Sequence, residues 1–278
     1  MDRLPFGVSR LDRIIGGGSP PGTVVLLAGE AGAGAREFLY TAAVINGLAR
    51  TDEAQFDLHY GSLHENARIP EEIRYVSFTA NKKELRRELT DVIDGEIVTP
   101  AMEAIIYEDL SSKYFQMSPV PRSWYAGERQ TISELGARDD RHDVLEALGD
   151  SLDEHASNNL VLIDSLSDLT VLADDHLSWS DIALLVRGLQ KAARSWNGLI
   201  LVHVNTEGLT SEEFGRLVGS TDGTILFEWS AGGNELDRTM VVKEFRGVLP
   251  VIEEEDIVRF ETEIHEAGLD ISNVRKIR

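Results

Sequence analysis

Residues 29–36 read Gly-Glu-Ala-Gly-Ala-Gly-Ala-Arg, preceded by the apolar run Val24-Val25-Leu26-Leu27-Ala28 and followed by a helix-compatible stretch. Strand, glycine turn and helix in that order frame a phosphate-binding loop, in which successive backbone N–H groups converge on an anion at the positive end of a helix. Gly29, Gly32 and Gly34, with the small Ala33, keep that cradle available, because glycine allows positive-φ turns and close backbone approach. The full pattern, G-x-x-x-x-G-K-[ST], ends in a lysine for the β- and γ-phosphates and a hydroxyl for magnesium. Here those positions hold Ala35 and Arg36. Alanine cannot reach a phosphate, and a guanidinium repels a magnesium ion.

Two outcomes follow for the loop. It is either a tight strand-to-helix turn that holds nothing, or a cradle in which Arg36 curls back onto phosphate oxygens and partly replaces both lysine and metal. The second predicts binding of ATP or another nucleotide without magnesium. A second acidic element supports a site of this kind: Leu160-Val161-Leu162-Ile163-Asp164-Ser165 is a buried-strand pattern ending in a carboxylate. Proteins of this architecture hold a metal and its water at such a strand end. Asp164 could equally cap the turn that follows.

No other constellation carries chemistry. The seven histidines show no H-x-x-x-H or H-E-x-x-H spacing, so no zinc site is expected. His203, within an apolar strand, reads as a satisfied core residue, and Trp124-Tyr125 as loop packing. The run Glu253-Glu254-Glu255-Asp256 reads as a solvated turn. No catalytic residue and no metal ligand is assigned.

These residues need a scaffold. The pattern predicts strands near 24–28, 74–78, 104–107, 160–163 and 199–204, alternating with helices near 34–49, 81–93, 141–156, 179–196 and 211–218. Strands at 224–229, 238–245 and 257–264 follow, with turns at Gly232-Gly233 and Gly247. Residues 4–22 read as a glycine- and proline-rich opening, 50–71 as a polar connection, and 94–138 beyond the 104–107 strand show no clear period. Alternation followed by strands predicts an α/β fold, a mainly parallel sheet with antiparallel strands at its C-terminal edge. Residues 1–278 are expected to form one domain.

Composition narrows the function. The 278 residues are 42% hydrophobic, an ordinary globular value, and contain no cysteine. No apolar stretch is long enough to span a membrane, and the start lacks a secretory hydrophobic region, so a cytoplasmic protein is expected. The net charge of −21, with only six lysines, is spread along the chain. Such a surface repels nucleic-acid phosphate and suits a high-salt cytoplasm, where screening tames self-repulsion.

Taken together the segments resemble the KaiC-like branch of the RecA superfamily of ATPases, across nearly the whole chain. Phe6-Gly7-Val8-Ser9-Arg10-Leu11-Asp12 before Gly16-Gly17-Gly18 is similar to that family's glycine-leucine-aspartate run ahead of a glycine triplet. The degenerate Walker A loop and the Leu160–Asp164 strand follow at matching places. After Tyr75-Val76-Ser77-Phe78 the family places water-activating glutamates; here stand Thr79 and Ala80. Lys243-Glu244-Phe245-Arg246-Gly247 looks like the family's K-x-R-G element, with Glu244 at the lysine position, and the resemblance gives Arg246 a role at a neighbouring subunit's phosphate. The resemblance therefore implies a RecA-like P-loop fold, similar to haloarchaeal sensory-transducer-like (Htr-like) members. It also implies a catalytically weak or inactive ATPase homologue acting as a regulatory or signalling protein, through a protein partner or self-association as a ring or dimer. Two rivals remain at this point: a working KaiC-like ATPase using Arg36, and a recombinase-related DNA-repair accessory protein, for which no basic stripe is evident.

Overall fold

The three most continuously apolar runs become the middle of the sheet, because a parallel strand covered by helices on both faces has no polar side. The protein is described by a computed structural model covering residues 2–116, 118–125, 143–171, 178–232, 235–250 and 257–276. In chain order its elements are α1 (Ser9–Ile14), β1 (Thr23–Gly29), α2 (Ala35–Thr51), α3 (Glu53–His59), β2 (Ile73–Ser77), α4 (Lys82–Val92), α5 (Gly95–Ala104) and β3 (Ile105–Asp109). Then come α6 (Ser111–Gln116), α7 (Arg122–Tyr125), α8 (Asp143–His155), β4 (Leu160–Asp164), α9 (Leu166–Val171), α10 (Trp179–Trp196) and β5 (Leu199–Asn205). The chain closes with α11 (Ser211–Val218), β6 (Gly223–Gly232), β7 (Glu235–Phe245), β8 (Ile257–His265) and β9 (Gly268–Lys276).

The strands form one sheet in the order β3-β2-β4-β5-β1-β6-β7-β8-β9. Pairing is parallel from β3 through β6 and antiparallel from β6 to β9, which is the architecture expected from the pattern. The period of two along each strand divides the core in two. Val25, Leu27, Leu160, Leu162, Leu199 and Leu201 face α2 and α5, whereas Val24, Leu26, Val161, Ile163, Ile200 and Val202 face α8, α9 and α10.

The outcome differs from the sequence expectation in five places, one of them the short helix α9 directly after β4. The polar connection 50–71 contains α3, started by Asp52, whose side chain accepts the Gln55 N–H. The aperiodic 94–138 region contains α5, α6 and α7; Pro100 inside α5 and the brevity of the other two hide their period. The opening segment holds α1, and a ninth strand, β9, follows the Gly268 turn. Residues 126–138, Gly233 and the acidic run Glu253-Glu254-Glu255-Asp256 lie outside the described residues.

The glycine triplet and Asp12 are structural. Gly16, Gly17 and Gly18 all have positive φ, and a Cβ on Gly18 would sit 2.2 Å from the Leu4 carbonyl oxygen. The buried Asp12 carboxylate accepts the N–H groups of Phe6 and Gly7 at 2.9 and 3.0 Å and the Tyr60 hydroxyl at 3.2 Å. Burial nevertheless dominates these bonds and raises its pKa to about 7.

Candidate functional site

The carboxyl ends of β1, β4 and β5 lie side by side, and a cavity of about 340 Å³ opens above them. Crevices at the carboxyl edge of parallel strands are where α/β proteins hold ligands. Gly29, Glu30, Ala31, Gly32, Ala35, Arg36 and Glu37 line one side; Ser165, Ser167, Asp168, His203 and Asn205 line the other.

The loop has the backbone shape that its glycines predict. Gly32 and Gly34 take φ of +72° and +120°, and Gly34 is the N-cap of α2 with no side chain to cap the helix. Among the described residues the N–H groups of Gly32, Ala35 and Arg36 have no hydrogen-bond partner, as expected of a helix start left open to an anion. Two residues from the antiparallel strands hold the loop from outside. Trp229 Nε1 donates to the Ala31 carbonyl at 3.1 Å, and Arg238 Nε donates to the Gly32 carbonyl at 2.9 Å. Arg238 also lies 4.7 Å over the Trp229 ring. A trans peptide sets C=O and N–H in opposite directions, so fixing the Ala31 carbonyl on Trp229 turns the Gly32 N–H away from it. Sequence reasoning missed both residues, since nothing local relates positions 229 and 238 to the loop.

Below the loop sits a charged knot. Asp164, His203 and Tyr75 project from β4, β5 and β2 onto the α2 face, each two residues on from a core leucine or isoleucine of the same face. Tyr75 donates its hydroxyl to Asp164 Oδ2 at 2.6 Å, and His203 Nδ1 lies 3.0 Å from Asp164 Oδ1. Arg36 Nη2 stands 3.4 Å from the same Oδ1, with its side chain 49% exposed. Burial alone pushes the Asp164 carboxyl up, but the His203 hydrogen bond, the Arg36 charge and Tyr75 together hold it below the ordinary value. Burial also works against the Arg36 charge and is the largest single effect, but Asp164, Tyr40, Tyr75 and Glu88 together outweigh it, raising Arg36 above its usual value. Asp164 is therefore ionised and paired rather than capping a turn; that task falls to Asp168, which accepts the Ser165 N–H at 3.1 Å and hydroxyl at 3.0 Å. Burial raises the Asp168 carboxyl, those two bonds oppose the rise, and the Asp164 charge adds to it.

The positions singled out in the sequence separate into three groups. Gly29, Gly32, Ala35 and Arg36 line the cavity, and Asp164 lies beneath it. Ala33 is fully buried, its N–H on the Glu30 carbonyl, and Gly34 packs against Leu269. Arg246 is not brought to the cavity. It follows β7 at the opposite edge of the sheet, where its Nη1 lies 3.5 Å from Asp222, whose Oδ2 accepts the Val24 N–H at the start of β1. Thr79 and Ala80 turn away: their N–H groups bond the Ser77 hydroxyl, and neither lines the cavity.

The residues fit a phosphate group, through free N–H groups and one guanidinium, better than they fit magnesium. The donor set for a metal is spoiled by Arg36, whose guanidinium stands on the Asp164 oxygen that a cation would need. Among the described residues no group of three or more His, Asp or Glu is placed to share a metal ion, and no helix is long and apolar enough to cross a membrane.

No family model matches the sequence, and no curated protein matches it. Among solved structures, the chain is similar to the KaiC-like protein PH0186 from the hyperthermophilic archaeon Pyrococcus horikoshii OT3, with a TM-score of 0.63. The likeness covers 98% of this chain and 99% of that one at 18% identity. At that identity it establishes the fold.

Proposed function

We propose that this chain is a KaiC/RecA-like ATPase homologue that has lost efficient turnover and works as a regulatory or signalling protein. Its output is a contact with a protein partner or with its own copies, as a ring or dimer. ATP or another nucleotide, held without magnesium, is its modulator. Residues 1–278 act as one unit, and the acidic surface suits a salty cytoplasm.

One observation carries this reading: the Arg36 guanidinium is paired with Asp164, beside an alanine at position 35. Phosphoryl transfer depends on cations that neutralise charge developing on the transferred group and on a carboxylate that holds metal and water. In this cavity the carboxylate is already neutralised by the loop's own arginine. The backbone N–H groups remain, so a phosphate can be held while its transfer is not promoted. Binding then acts by shifting the protein between conformations of different ligand affinity.

The test is titration of the full chain with ATP in magnesium and in EDTA. Equal, measurable affinity in both supports the proposal; binding that requires magnesium contradicts the metal-free part, and no binding at millimolar nucleotide removes the modulator altogether.

A further inference from the structure

The cavity that carries free N–H groups is also acidic. Glu30, Glu37 and Asp168 line it, and the one lining cation among the described residues, Arg36, is balanced by Asp164. The Glu37 side chain has no hydrogen-bond partner among the described residues and stands in the first turn of α2, next to the uncapped N–H groups. An ordinary phosphate site is electropositive, and its affinity falls as salt screens the attraction. Here short-range donors favour phosphate while the surrounding carboxylates, and a whole-chain charge of −21, oppose it.

We propose that this site takes a metal-free pyrophosphate group and that salt switches it on: affinity rises with ionic strength. The inference rests on the nucleotide-modulated reading above and adds its regulation. Hydrogen bonds from Gly32, Ala35 and Arg36 act over contact distance and survive screening. Repulsion from Glu30, Glu37 and Asp168 acts over a longer range and does not. Salt therefore removes the unfavourable part first. Between about 0.1 M and about 1 M salt the Debye length shrinks from about 10 Å to about 3 Å. For a ligand with about three negative charges, losing the repulsion of two or three nearby carboxylates is worth about five- to tenfold in affinity.

Calorimetric titration of the full chain with inorganic pyrophosphate in EDTA tests this at about 0.1 M and about 1 M KCl, with near-ultraviolet circular dichroism confirming that the protein is folded at both. The expected result is about five- to tenfold tighter binding at the higher salt. Glu37→Gln is expected to tighten binding about two- to threefold at low salt and to flatten the dependence. Asp153→Asn, on α8 near the opposite edge of the sheet, is expected to leave the slope as it was. ATP, titrated alongside, should tighten at least as much; a rise for ATP without one for pyrophosphate overturns the assignment to the phosphate group. Affinity that falls with salt, or a slope that Glu37→Gln and Asp153→Asn alter equally, overturns the salt switch alone. Absence of binding at every salt concentration overturns the nucleotide-modulated reading together with it.

Discussion

Arg36, in the first turn of α2, and Asp164, the last residue of β4, form an ion pair across the floor of the loop at 3.4 Å. A cation at a helix N-terminus opposes the helix dipole, so this arginine sits where its helix disfavours it. Asp164 supplies the compensation. The pair is also redundant from the carboxylate's side, since Tyr75 and His203 remain on Asp164 when Arg36 leaves.

That redundancy makes the two partners unequal. Arg36 is half-exposed, so Arg36→Ala should lower unfolding free energy by only about 0.5–1 kcal/mol. Asp164→Ala strands the Tyr75 hydroxyl and His203 Nδ1 in a buried place and should cost about 2–4 kcal/mol. Urea denaturation of both variants checks the ordering. Equal losses would show that the guanidinium, rather than the buried hydrogen bonds, holds the knot together.

Asp12 gives the fold a pH dependence of defined sign. Its folded pKa, about 7, lies above the unfolded 3.8, so the native state holds a proton that the unfolded chain has released. The associated stabilisation is complete below the unfolded value and is lost as pH rises through about 7. Between these limits wild type should lose about 2–4 kcal/mol relative to Asp12→Asn. Unfolding free energies of both proteins across that window test it; parallel curves would show that the carboxyl titrates normally.

The glycine triplet should respond unevenly to alanine. A Cβ on Gly16 meets nothing within 4 Å, whereas on Gly18 it would strike the Leu4 carbonyl oxygen at 2.2 Å. Gly16→Ala should cost about 1–2 kcal/mol, the strain of positive φ alone. Gly18→Ala should cost more than about 3 kcal/mol or prevent folding, since the backbone must move. Thermal melts separate the two cases.

Trp229 and Arg238 hold the loop without lining the cavity. Trp229→Phe should change global stability by less than about 1 kcal/mol yet speed amide exchange at Ala33, whose N–H bonds the Glu30 carbonyl within the loop. Hydrogen exchange measured by NMR reads this directly. Unchanged protection of Ala33 would mean the loop keeps its shape without the indole.

Much of this molecule was legible in its sequence, and the reasons are local. The runs 24–28, 160–163 and 199–204 had to be doubly covered parallel strands, and they are β1, β4 and β5. The loop was legible from glycine spacing, and Asp164 from its place at a strand end. What stayed hidden depends on contacts between distant residues. Tyr75 and His203 share a face with Asp164, but only the order β2-β4-β5 makes them neighbours. Trp229 and Arg238 reach the loop because β6 pairs β1 at Gly29↔Phe227, a register that no local pattern sets. Short helices such as α3 and α6 escaped because one or two turns hold too few residues for a period.

On the proposed function, this fold has kept a phosphate cradle and lost the means to transfer phosphate. The most direct measurement is ATP turnover by the purified full chain in magnesium at molar KCl, beside Asp164→Asn. No turnover above background is expected for either protein, with ATP binding intact in wild type. Sustained hydrolysis by wild type that Asp164→Asn abolishes would contradict it.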